Sequence, residues 1–86
     1  MVSPRTLARS LDSAIDRLRA IKDVQRAVDM VDSVLGRGQR LTLSEEQINA
    51  LLDLADSLNS FISNPLRTAD EFDSAIHKAR SALRSN

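Results

Sequence analysis

No glycine or proline occurs between Pro4 and Gly36, and this uninterrupted stretch limits the possible folds more than any other feature of the chain. Its apolar residues recur at helical spacing, and it is rich in Leu, Ala and Arg, which lose little on entering a helix. Ser3 is a good N-cap, and Pro4 suits the first helical position, where the missing N–H costs no hydrogen bond. Gly36 is a natural helix stop. These signals predict one first helix from about Pro4 to Leu35, a rod of roughly 48 Å.

Two shorter helices should follow the loop Gly36-Arg37-Gly38-Gln39-Arg40. Ser44-Glu45-Glu46-Gln47 is a capping box: the Ser hydroxyl accepts from a free backbone N–H, the Gln side chain reaches back, and the acids sit at the positive end of the helix dipole. Leu43 and Ile48 flank the cap as a hydrophobic staple. The second helix then runs from about Glu45 to Ser63. It ends at Asn64-Pro65, because a residue before proline avoids the helical region. Thr68-Ala69-Asp70-Glu71 repeats the capping pattern and predicts a third helix from about 69 to 84. Two Phe and no Trp or Tyr leave little material for strands. The expectation is a single all-α domain over 1–86, a three-helix hairpin or bundle with a long first helix. Without cysteine, its core must come from helix packing, within the chain or against a second one.

The helix faces suggest the second route. The third helix has a narrow stripe (Ala69, Phe72, Ala75, Ile76, Ala79, Ala82, Leu83) opposite a wet face of Asp70, Asp73, His77, Arg80 and Arg84. The second is apolar over about half its circumference and needs neighbours on two sides. In the first, Leu7, Leu11, Ile15 and Leu18 form one stripe, and Val24, Val28, Val31 and Leu35 form another, rotated by about a quarter-turn, with Ile21 at the join. Helical drift against a heptad is only ~20° per seven residues, too little to cause this offset. If the second helix folds back over the valine half, the Leu7–Leu18 stripe projects beyond it. The third helix, continuing past Asn64-Pro65, or a second copy of the chain can then cover it, and the second copy is favoured because it leaves the broad face of the second helix to the third. We therefore expect a homodimer or a partner protein at Leu7, Leu11, Ile15 and Leu18, since large exposed apolar faces usually mark interaction sites.

Composition excludes several functional classes. Twelve basic and twelve acidic side chains cancel, whereas a small nucleic-acid-binding domain usually has a basic excess. Along the first helix, Arg9–Asp12, Asp16–Arg19, Arg19–Asp23 and Arg26–Asp29 are spaced to neutralise one another. No apolar run approaches the ~20 residues that span a bilayer, and no helix pairs a basic face with large aromatics. Met1-Val2-Ser3-Pro4-Arg5 lacks the apolar stretch of a signal peptide, so a cytoplasmic location is expected. His77, the single histidine, has Asp73 one turn before it. That spacing fits a surface ion pair, and no nucleophile or oxyanion donor accompanies it. Asp70, Asp73 and His77 share one face without a second ligand-rich segment, so no metal site is expected. No cofactor or small-molecule substrate is expected either.

What remains is a small non-enzymatic interaction protein, an adaptor, inhibitor or assembly factor of the kind common in bacteria, plasmids and phages. One alternative is a nucleic-acid-associated regulator using Arg37 and Arg40, the least neutralised basic residues. Another is a small secretion chaperone or virion component, which also works by packing a helix in a groove.

Overall fold

The computed structural model describes residues 3–20 and 24–84. They form four helices: α1 (Pro4–Ala20), α2 (Val24–Gly38), α3 (Glu45–Ser63) and α4 (Pro65–Arg84). No strand occurs among the described residues.

The long first helix is replaced by a helical hairpin. The expected join at Ile21 and the Arg19–Asp23 pair involve residues outside those described. On either side of them the chain runs in opposite directions: a Cβ placed on Gly38, at the end of α2, would lie 3.9 Å from Leu7 Cδ1, near the start of α1. Described extents of 33 × 20 × 18 Å leave no room for a 48 Å rod. The physical reason is the quarter-turn between the two apolar stripes. A straight helix points them in different directions, whereas a hairpin points both into one core.

The helices close a ring in which each runs antiparallel to its neighbours, with α4 against both α3 and α1. Phe61 and Phe72 stack between α3 and α4 with ring centroids 4.5 Å apart. Leu7, Leu11, Val31, Val34, Leu54 and Ile76 are among the side chains buried at the centre. Each contributes about 1.5–3 kcal/mol relative to exposure. α4 thus covers the Leu7–Leu18 stripe from within the chain. The reason for expecting a second chain to bury it falls away: once α1 is short, α4 is long enough to lie over it.

Two boundaries also move. α2 continues through Gly36 to Gly38, so Gly36 is not the helix stop. α4 begins at Pro65 rather than near 69. Proline is well suited to a first helical residue, so Asn64 closes α3 and α4 starts at once. Asn64 N–H donates to the Ser60 carbonyl, while the Thr68 N–H and hydroxyl both donate to the Asn64 carbonyl. Thr68 therefore lies inside the first turn of α4 and does not cap it.

The Ser44 capping box forms as read. Gln47 N–H donates to Ser44 Oγ at 3.2 Å, and Ser44 N–H donates to Gln47 Oε1 at 3.0 Å. Gln47 has a second task. Its Nε2 donates to the Ala82 carbonyl at 3.0 Å, tying the start of α3 to the last turn of α4. Gln47 is buried, and each of these bonds stabilises by about 1 kcal/mol because an unpaired buried partner is costly. Gln47→Ala should destabilise the fold by about 2 kcal/mol, and Ser44→Ala, which removes only the cap, by about 1 kcal/mol. Urea unfolding followed by circular dichroism measures both; equal losses would show that the Ala82 bond contributes nothing.

Candidate functional site: an apolar face beside the α2–α3 seam

The α2–α3 seam is the most lightly packed in the ring. It is tight where the loop joins the helices, and Gly38 makes that approach possible. A Cβ there would lie 2.8 Å from Leu51 Cδ1. Beside this contact is an apolar groove of about 150 Å³, lined by Leu35, Gly38, Leu43, Ile48, Leu51 and Leu52. Leu43 and Ile48, expected as a staple, are both in its wall.

The groove opens onto a row of uncovered aliphatic side chains. Ile48 is 45% exposed, Leu52 and Ile62 59% each, and Leu66 96%. Ile48, Leu52, Ala55 and Ile62 follow helical spacing along one side of α3, and Leu66 comes just past the turn into α4. Three large aliphatic side chains this exposed along one side of a helix differ from the scattered apolar residues of ordinary surfaces. Sequence periodicity marked α3 as apolar on two sides but did not show which side would stay open.

The predicted site residues lie elsewhere. Leu7, Leu11 and Ile15 are buried and Leu18 is half-buried against the core, so they present no free face. Arg37 and Arg40 are both exposed, Arg37 in the last turn of α2. Comparison with family models, with curated proteins and with solved structures finds no match.

One basic patch escaped the sequence reading. Arg5 and Arg9 from α1 and Arg84 from α4 line a shallow hollow of about 360 Å³. Arg80 Nη1 donates to Asp12 Oδ1 at 3.1 Å, and Arg84 pairs with Asp12 Oδ2. Asp12 therefore bonds across to α4 rather than to Arg9 along its own helix. Neither Arg5 nor Arg9 has an ion-pair partner among the described residues. The patch arises because α4 runs antiparallel to α1, a juxtaposition invisible in linear charge spacing.

The remaining polar features are local. His77 Nε2 lies 3.5 Å from Asp73 Oδ2 on the surface of α4. Lys78 reaches Asp53 across the open trough between α3 and α4 at 3.7 Å. Among the described residues, no three His, Cys, Asp or Glu side chains converge as metal ligands. None of the helices is long and apolar enough to cross a membrane among those residues.

The two glycines of α2 separate backbone from packing effects. Gly36 has open space around its Cβ direction, so Gly36→Ala should stabilise by about 0.5–1 kcal/mol through helix propensity alone. Gly38→Ala must push Leu51 aside and should gain much less, or lose stability. Thermal unfolding of both variants checks this; equal gains would mean that the seam is loose at Gly38 as well.

Proposed function

We propose that this chain is a small non-enzymatic protein-binding module whose working surface is the α3 row Ile48, Leu52 and Ile62, with Leu66 and the adjoining α2–α3 groove. One observation carries this reading. In a chain that is 42% apolar and has a full core without them, three large aliphatic side chains stand uncovered along one side of α3, with Leu66 uncovered at the start of α4. Keeping them exposed costs solubility, which a binding surface offsets. Ile48 and Leu52 stand at i and i+4, two of the anchor positions that helix-in-groove binders use, with Ile62 further along the same side of α3. The expected interaction function is retained, but its surface moves from α1 to α3.

A photoreactive residue at position 52, introduced in the native host, tests the proposal. Crosslinks should concentrate on one or a few proteins and be lost when Ile48→Glu is added. A diffuse crosslinking pattern, unchanged by Ile48→Glu, would sink it.

The Arg5, Arg9 and Arg84 hollow supports a second reading, contact with a phosphate backbone, beside the Arg37/Arg40 alternative, whose two arginines are likewise exposed. Backbone contacts of this kind depend steeply on salt. Under this reading, duplex DNA binds in low-salt buffer and Arg5→Glu with Arg9→Glu abolishes it. No binding by the unaltered chain at low salt removes this reading.

A further inference from the structure

We infer that the hollow between the start of α1 and the end of α4 binds the terminal phosphoryl group of a small molecule, a phosphate monoester or a diphosphate, through Arg5, Arg9 and Arg84. The inference rests on the second reading above, which brings a phosphate to this hollow, and narrows what carries that phosphate.

Three positive charges meet here with no counter-charge in the lining. Arg5 and Arg9 stand one turn apart on α1, Arg84 comes from the last turn of α4, and no carboxylate lines the hollow. Like charges at i and i+4 repel each other. Arg5 is also in the first turn of α1, which carries no acid, so its charge opposes the helix dipole. Both effects work against the fold, and a bound anion reverses both. Negative charge at a helix N-terminus is favoured, and repelling guanidinium groups become donors that share one acceptor group.

The chain has a carboxylate within reach and uses it elsewhere. Asp12 stands three residues after Arg9, a spacing at which the two could pair. Instead its Oδ1 accepts from Arg80 Nη1 at 3.1 Å and its Oδ2 pairs with Arg84, both across the α1–α4 seam. Arg5 and Arg9 are left without an ion-pair partner among the described residues. The same pairing holds Arg84 beside them. A guanidinium has five N–H donors, so one bond to Asp12 leaves Arg84 with donors for a ligand.

The charge pattern selects a compact anion. A terminal phosphate carries about −1.5 to −2 at pH 7 and three strong acceptor oxygens, which suits three arginines at once. A nucleic-acid backbone carries one charge per phosphate, and each further phosphate gains only from a further cation. Along α1 the next residues on the side of Arg5 and Arg9 are Asp12 and Asp16, and Asp16 is exposed. An extended anion following that side meets like charge, whereas a compact one stays within the hollow of about 360 Å³.

Titration of the full chain with inorganic pyrophosphate and with glycerol phosphate, at low salt and followed by two-dimensional proton–nitrogen NMR, tests the assignment. Shifts should saturate and concentrate on the side-chain N–H signals of Arg5, Arg9 and Arg84, with a dissociation constant on the order of 1 mM for so exposed a site. Tighter binding of pyrophosphate assigns a diphosphate, and equal binding assigns a monoester. Arg5→Gln with Arg9→Gln should weaken binding at least about 10-fold without lowering the melting temperature, because their mutual repulsion is removed with them. Asp12→Asn, which removes the competing carboxylate, should tighten binding about 3-fold. Arg84→Gln should weaken it about 3-fold, and it decides the role of Arg84 where Asp12→Asn loosens the α1–α4 seam. Shifts that rise linearly without saturating overturn the proposal, as do shifts that sodium chloride reproduces at equal ionic strength. If a DNA duplex shifts the same arginines and pyrophosphate does not, the backbone reading stands and this one fails. If pyrophosphate binds and the duplex does not, the reverse holds, and no response to either removes both.

Discussion

Everything in this fold depends on bringing two apolar stripes of one glycine-free segment into the same core. Leu7 and Leu11 on α1 and Val31 and Val34 on α2 would diverge by a quarter-turn on a straight helix. On a hairpin they converge, and all four are buried. Ordering the backbone of any residue costs about 1–2 kcal/mol of conformational entropy. Burial of several aliphatic side chains at about 1.5–3 kcal/mol each exceeds it. With α1 shortened, α4 reaches back along its full length, and the ion pairs of Arg80 and Arg84 with Asp12 align the two helices.

Gln47 has the same relation to the second hairpin. A capping box is a local device, and its two reciprocal bonds define only where α3 begins. The third bond, to the Ala82 carbonyl, makes that beginning a tertiary contact. It also satisfies a carbonyl in the last turn of α4 that has no partner within its own helix. The entry to α3, the exit of α4 and the approach of Gly38 to Leu51 lie at one end of the ring, so three helices are tied together there.

Helix content, the Ser44 cap and the division at Asn64 were legible in the sequence because each depends on nearby residues. The reversal between Ala20 and Val24 was written only as a conflict between two stripes. That conflict was read as two partners for one helix rather than one core for two helices. Linear spacing had no rule to separate these outcomes, because the segment lacks the residues that usually punctuate a turn. The error then propagated. A rod leaves Leu7, Leu11, Ile15 and Leu18 beyond the second helix, to be covered by the third or by another chain, and favouring the other chain put the expected interface on residues the fold buries. The Arg5, Arg9 and Arg84 patch was hidden for a related reason, since its members are far apart in sequence and meet only through the packing of α4 on α1.

The exposed face of α3 follows from the same revision. A helix apolar around half its circumference needs two neighbours. With a long first helix and a shorter third, both seemed available along the whole of α3. In the ring, α4 covers one side fully, as the Phe61–Phe72 stack shows. α2 covers the other side only partly: Gly38 lets it close on Leu51, whereas Ile48, Leu52 and Ile62 remain uncovered. The apolar surplus recognised in α3 is therefore real, and the chain's own helices do not absorb it. That surplus is confined to one side of α3, where Ile48, Leu52 and Ile62 stay open. The apolar residues left over by the fold are therefore on α3, whereas the Leu7–Leu18 stripe of α1 is taken up by the core.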